Sequence, residues 1–205
     1  LLARIYDHSE HKYKRGFSML TLGWTDGYSF VPVGFNMLSS ANKSNRYQEM
    51  SDIDHRTNGY KVRRDSMLSK PEAAIKLISE ALNAGILADY VLMDTWFTTE
   101  PMIQSILELG LDVIGMVKQL KQRYYFNGKA YTLPELQKFV NYNGASNIFG
   151  SLLVTTKKGI PVRIVFVRNR NKKSECLYIL STKVSLSDSE IVRIYGNRWS
   201  IECFF

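Results

Sequence analysis

The chain has 205 residues, 45% of them apolar, with 27 Lys and Arg against 19 Asp and Glu, a formal charge of +8 and a pI near 9.4. That composition excludes disordered, collagenous and low-complexity classes, and no apolar run approaches the ~20 residues of a membrane span. Cys176 and Cys203 are too few for a disulfide framework or a zinc site, which makes a reducing cytoplasm the expected location. The basic surplus favours a polyanionic partner without identifying it.

Leu1 opens directly into the patterned stretch Leu-Leu-Ala-Arg-Ile-Tyr with no initiator Met, and the chain stops at Ile201-Glu-Cys-Phe-Phe205 inside a helical pattern. It therefore reads as a piece of a longer protein. The runs Phe17-Ser-Met-Leu-Thr-Leu-Gly23 and Tyr28-Ser-Phe-Val-Pro-Val33 flank Asp26-Gly27, a strong hairpin signal. Residues 39–69 are polar and carry Lys43, Arg46, Arg56, Lys61, Arg63 and Arg64. They read as an exposed loop, either a solvated connection or a nucleic-acid contact. Ser69 and Glu72 form a capping box for a helix whose apolar positions are Ala74, Ile75, Ile78, Ala81 and Leu82, with Gly85 ending it.

A short apolar strand, Tyr90-Val-Leu-Met93, then runs into Asp94, followed by a helix over 101–109 and a strand over 111–117. Alternating helix and strand with short joints is the grammar of a parallel α/β sheet. Residues 122–175 change texture, to β-runs with one short helix near 134–140 and a basic turn holding Arg168, Arg170, Lys172 and Lys173. After a strand over 176–181, Ser187 and Glu190 form a second capping box, opening a last helix with the apolar stripe Ile194, Ile201 and Phe205.

Two places could carry chemistry. Asp94 stands at the end of a strand, the edge where open α/β sheets bind ligands, although an Asp there could equally cap the next helix. Tyr195, Arg198 and Glu202, spaced three and four apart, share one stripe of the last helix beside its apolar stripe. Alone, that Arg–Glu spacing reads as an intrahelical pair worth ~0.3–0.5 kcal/mol. Together with Asp94 it suggests a second use. Carboxylates from separate elements suffice to hold Mg²⁺, which takes oxygen ligands and keeps several waters. Two such ions can flank a phosphorus centre. A further carboxylate is normally needed, and Arg198 and Tyr195 could hold a phosphate oxygen or orient Glu202. The sequence has no Walker loop, no Gly-x-Gly-x-x-Gly and no Gly-x-Ser-x-Gly elbow, and His8, His11 and His55 read as solvated polar residues.

Tyr195-x-x-Arg198-x-x-x-Glu202 is similar to the Tyr-x2-Arg-x3-Glu-x6-Lys signature of bacterial insertion-sequence DDE transposases, the YREK-signature group. The signature Lys would fall beyond Phe205. Tyr90-Val-Leu-Met-Asp94-Thr-Trp-Phe97 resembles the segment around that group's second catalytic Asp, and Met19-Leu-Thr-Leu-Gly-Trp-Thr-Asp-Gly27, Phe30-Val-Pro32 and Val167-Arg-Asn-Arg-Asn171 resemble further stretches. The resemblance implies a ribonuclease H-like mixed sheet, three antiparallel strands followed by parallel ones, with helices on both faces and a β-rich insertion. On that reading residues 1–121 and 176–205 form the core and 122–175 the insertion. It implies that Asp94 and Glu202 are the second and third members of an acidic triad holding Mg²⁺ or Mn²⁺, with Tyr195 and Arg198 assisting at the transposon end. The first Asp is expected upstream of residue 1, since Asp7 sits in an unpromising polar setting. The expected activity is cleavage and strand transfer on double-stranded DNA by a homodimer, with Lys43, Arg46, Lys61, Arg63, Arg64, Arg168, Arg170, Lys172 and Lys173 contacting phosphates. The expected setting is the bacterial cytoplasm, at the nucleoid. The rival readings are an inactive nucleic-acid-binding remnant and a ribonuclease H-like nuclease that only hydrolyses.

Overall fold

The computed structural model describes residues 1–7, 9–49, 52–142, 146–170, 172 and 175–205, so His8 and Lys173 lie outside the described residues. The chain forms two compact units, Leu1–Leu87 and Ala88–Phe205. Among the described residues no helix is long and apolar enough to cross a membrane.

The first unit begins with a hairpin of β1 (Ala3–Asp7) and β2 (Lys12–Gly16). Asp7 closes its turn: Oδ1 accepts the Ser9 N–H at 2.9 Å and the Ser9 hydroxyl at 2.6 Å, and Oδ2 lies 2.8 Å from Lys14 Nζ. A second hairpin pairs β3 (Ser18–Thr25) with β4 (Phe30–Leu38). Its turn uses Asp26 Oδ1 to accept the N–H groups of Tyr28 and Ser29 at 2.9 and 2.7 Å, and Gly27 takes φ 94°. Helix α1 (Asn58–Asp65) follows, and α2 (Lys70–Asn83) packs on β3 and β4 with Ala73, Ile78 and Ala81 buried. The capping box of Ser69 and Glu72 forms as the sequence implies.

Two expectations are corrected here. Residues 39–69 are not simply a loop, because they hold a 3-10 turn at Lys43–Asn45 and the whole of α1. Helix α1 buries no residue, so it has no apolar stripe to betray it. It is fixed instead by the Thr57 cap and by the Asp65–Lys76 ion pair to α2. The N-terminal strands also do not enter a common sheet with the later ones; each hairpin is its own two-stranded sheet. Lys12, Tyr13, Lys14 and Arg15 are all exposed, leaving β2 no apolar face with which to join a core.

The second unit is built on one mixed sheet. Its strands are β5 (Tyr90–Met93), β6 (Asp112–Val117), β7 (Tyr124–Phe126), β8 (Lys129–Tyr131), β9 (Ile148–Thr155), β10 (Pro161–Arg168) and β11 (Cys176–Ser181). The spatial order is β5-β6-β11-β10-β9-β7-β8, with β5 and β6 parallel and every other pairing antiparallel. The strands of the 122–175 block thus continue the sheet that β5 and β6 begin.

Helices lie on both faces. Directly opposite residues share a face, so Tyr90, Leu92, Ile114, Met116, Val165, Val167 and Ile179 line one side, and helix α5 (Asp188–Gly196) seats Ile191 and Tyr195 there. The other side presents Met93, Val113, Val117, Ile164, Phe166, Tyr178 and Leu180. Helix α3 (Glu100–Glu108) packs on β6, with Met102, Ile103 and Ile106 buried, and α4 (Leu133–Gln137) reaches Tyr178 through Gln137 at 3.3 Å.

The last helix is also corrected. It is two helices, α5 and α6 (Trp199–Phe204), joined at Asn197 and Arg198 by i→i−3 hydrogen bonds, from Asn197 to Ile194 at 3.0 Å and from Arg198 to Tyr195 at 3.1 Å. Gly196 and Asn197 are poor helix formers, and the backbone tightens there while keeping helical dihedrals. Phe205, expected in the apolar stripe, is exposed.

Gly115 is required by its neighbour. A Cβ at that position would run into the side chain of Thr98, whose hydroxyl donates to the Asp94 carbonyl at 2.6 Å. Gly115→Ala is therefore expected to cost about 1–3 kcal/mol in urea unfolding, the range for overpacking. Adding Thr98→Ala should recover part of that loss.

Candidate active site

Asp94 directly follows β5. Its Oδ1 accepts the N–H groups of Trp96 at 2.9 Å and Phe97 at 3.2 Å, and its carbonyl accepts the N–H and hydroxyl of Thr98. The N-cap of α3 is Thr99, so Asp94 organises the strand-end turn and does not cap that helix. These bonds commit Oδ1 and not Oδ2. The carboxylate is exposed, as is the adjoining Trp96.

Tyr195, Arg198 and Glu202 keep the stripe that their spacing implies, across the joint between α5 and α6. Tyr195 is 8% exposed and packs in the core cluster with Ile114, Val165, Ile179 and Ile191. The Arg198 guanidinium carbon stands 5.6 Å from the Tyr195 ring centroid, and Nη1 lies 2.6 Å from Glu202 Oε1. Arg198 Nε is buried and has no hydrogen-bond partner among the described residues.

The four groups act on one another. Burial pushes the Tyr195 phenol up from the usual tyrosine range, Arg198 pulls it down, and the charges of Asp94 and Glu202 both push it up. Burial pulls the Arg198 guanidinium down, but its bond to Glu202 and its proximity to Tyr195 leave it raised overall. The charge of Asp94 thus reaches the same phenol as that of Glu202, although about a hundred residues separate the two in sequence.

Arg163 escaped the sequence reading. On β10, beneath the start of α5, it donates to the Val184 carbonyl from Nε and Nη2 at 3.2 and 3.0 Å. Its Nη1 reaches the Ser151 hydroxyl at 3.0 Å and Asp188 at 3.4 Å. It is the one charged residue inside the apolar run 162–167, and that is the available signal.

Asp94 and Glu202 offer carboxylate oxygen, the donor type that hard divalent cations take. Among the described residues no three His, Cys, Asp or Glu side chains come together as a metal site, so Asp94 and Glu202 do not by themselves complete one.

The basic residues divide between the units. In the first, Lys43, Lys61, Arg63 and Arg64 are exposed. Arg63 donates to the Gly59 carbonyl at 2.9 Å and Arg64 pairs with Asp65 at 2.9 Å. The Arg46 side chain is only 4% exposed and is held by Glu49 and the Ser40 carbonyl. In the second, Arg168 donates to the Tyr142 hydroxyl at 2.6 Å, Arg170 is exposed, and Lys172 pairs with Glu175 at 3.0 Å.

A mixed sheet flanked by helices, with an acidic residue at the end of a parallel strand, places the second unit in the mixed α/β class, whose open sheets bind ligands beyond their strand ends. Residues 1–137 match the family described as DDE superfamily endonuclease, and the chain belongs to that family. The activity class is accordingly that of a nuclease acting on DNA. The match includes Asp94 and ends before Tyr195. No curated protein matches the chain.

The raised Tyr195 phenol fixes the sign of a pH effect. Folding favours the protonated form, so its contribution to stability is constant below the ordinary tyrosine pKa of 10.0 and is lost as pH rises through the higher folded value. Tyr195→Phe should flatten part of that alkaline decline in urea titrations while costing about 0.5–1.5 kcal/mol at pH 7. Tyr195→Ala, which empties the core position, should cost about 3–5 kcal/mol.

Proposed function

We propose that the chain is the catalytic core of a DDE transposase of the YREK-signature group, cutting at insertion-sequence ends and joining strands to target DNA. The observation that carries this reading is that Arg198 pairs with Glu202 across the Tyr195 ring, and that the charges of Asp94 and Glu202 both act on that phenol. The signature spacing supports the subgroup. The mixed sheet with helices on both faces is compatible with a ribonuclease H-like core; a core of 1–121 and 176–205 with 122–175 as insertion is proposed on the family resemblance alone.

In this reading Asp94 and Glu202 would hold Mg²⁺ or Mn²⁺ through Asp94 Oδ2 and the Glu202 carboxylate. A divalent ion bound there supplies charge stabilisation at the phosphorus centre of an in-line displacement. Arg198, held by Glu202 and the Tyr195 ring, would offer the exposed part of its guanidinium to a phosphate oxygen. Tyr195 remains a neutral donor at physiological pH and sets the height of Arg198 above the sheet. The third carboxylate is proposed to come from a strand added at the outer side of β5, which no strand pairs with among the described residues.

Lys43, Lys61, Arg63, Arg64, Arg168, Arg170, Lys172 and Lys173 would supply sequence-independent phosphate contacts. Arg46, held from behind, would support them and not touch DNA itself. The working form is proposed to be a homodimer on paired DNA ends, in the bacterial cytoplasm at the nucleoid.

The test is Mg²⁺-dependent cleavage and strand transfer by the complete gene product on its flanking inverted repeats. Asp94→Asn and Glu202→Gln should each lower cleavage by about 10²–10³-fold, the scale of losing one charge-stabilising group. Full activity in either variant would overturn the site. Cleavage without joining would convert the reading to a hydrolytic nuclease, and DNA binding without cleavage to an inactive remnant.

A further inference from the structure

The β1–β2 hairpin presents a surface that the proposed site does not use. Arg4 stands directly opposite Arg15 and Tyr6 opposite Tyr13, so all four side chains share one face. Like charges directly opposite destabilise a strand pair, and neither arginine has an ion-pair partner among the described residues. Both lie over tyrosine rings instead: Arg4 is 4.3 Å from the Tyr13 centroid and Arg15 is 4.9 Å from that of Tyr47. The hairpin's acidic residues are engaged elsewhere, with Asp7 on Lys14 and Glu10 on Lys12 and Lys14.

Tyr47 belongs to the same face for a structural reason. Arg46 bridges Ala3, and the Tyr47 N–H donates to the Leu2 carbonyl at 3.0 Å, so this segment runs along the outer side of β1. Ala3 is fully buried, and Arg46, opposite it, points to the same inner side. There Glu49 holds the guanidinium at 2.9 Å. Alternation then turns Tyr47 outward beside Arg4 and Arg15. Tyr13 and Tyr47 are 57% and 52% exposed. The result is a flat, uncompensated, cationic and aromatic surface with a braced back.

We propose that this face is a binding platform for unpaired DNA, with bases stacked on Tyr13 and Tyr47 and phosphates held by Arg4 and Arg15. It rests on the DNA-acting reading only for the identity of the polyanion. Tyrosine rings and guanidinium planes are surfaces on which bases stack. In a duplex the bases already stack on one another, so a double strand would use the two arginines and leave the exposed rings idle.

The test is fluorescence anisotropy of the intact chain carrying Asp94→Asn, titrated onto labelled (dT)20 and onto a duplex of equal length. Tyr13→Ala with Tyr47→Ala should weaken (dT)20 binding roughly tenfold or more with an unchanged salt slope. Tyr13→Phe with Tyr47→Phe should bind like the parent, which separates loss of stacking from misfolding. Arg4→Ala with Arg15→Ala should weaken binding and lower the slope of log K against log salt by about 0.7 for each phosphate left unneutralised. Binding of (dT)20 by the tyrosine-to-alanine pair within twofold of the parent would overturn the platform, as would an equal loss on duplex. Those outcomes leave the cleavage test untouched. Conversely, an inert parent enzyme with tyrosine-dependent (dT)20 binding would overturn the transposase reading and keep the platform.

Discussion

Where the polar groups of the second unit stand depends on the burial of one phenol ring. Tyr195 sits among Ile114, Val165, Ile179 and Ile191, residues of three strands and its own helix, and its position sets the height of the whole helix above the sheet. Everything C-terminal to it inherits that placement. Arg198 lies across the ring, Glu202 lies one turn further on, and the tight joint at Asn197 keeps both in helical register. An aromatic ring is suited to this work, because it is large, stiff and apolar with one polar tip. The ring anchors in the core while the hydroxyl remains among the charges at the edge. Arg163 provides the complementary restraint at the other end of α5, tying its first residue, Asp188, and the preceding loop to β9 and β10.

The first unit shows the same division between bracing and presenting. Arg46 and Tyr47 are adjacent in sequence and opposite in role, one buried behind a strand and one displayed in front of it. Composition counts both simply as members of a basic, aromatic-rich stretch. The strand alternation imposed by the Ala3 bridge assigns them to different sides, and the guanidinium that looked available for a partner serves as a strut.

Legibility followed local chemistry. The strand Tyr90–Met93, the capping boxes at Ser69 and Ser187 and the Asp26-Gly27 turn were readable, because each is set by a few neighbouring residues. The Tyr195, Arg198 and Glu202 stripe was readable from spacing alone, since helical dihedrals persist through the joint. Helix α1 was not, because its stability comes from a cap and from ion pairs and leaves no apolar period. The β1–β2 hairpin was missed for a related reason. Its turn carries no Asn-Gly or Asp-Gly signal, and β2 is exposed along its length. Arg163 and the Arg4–Tyr13 and Arg15–Tyr47 pairs depend on strand register, which a single sequence does not disclose.

The tight fit of Gly115 beneath Thr98 reaches beyond packing. Thr98 binds the Asp94 carbonyl, and Gly115 lies beside Met93 in the parallel pair of β5 and β6. The turn bearing the carboxylate therefore rests on a bare stretch of backbone through the short Thr98 side chain, which has little length to absorb displacement. Any evolutionary drift that enlarged residue 115 would shift the carboxylate sideways without altering a single polar residue. The chain could then lose its edge chemistry while every acidic and basic side chain survived in the sequence.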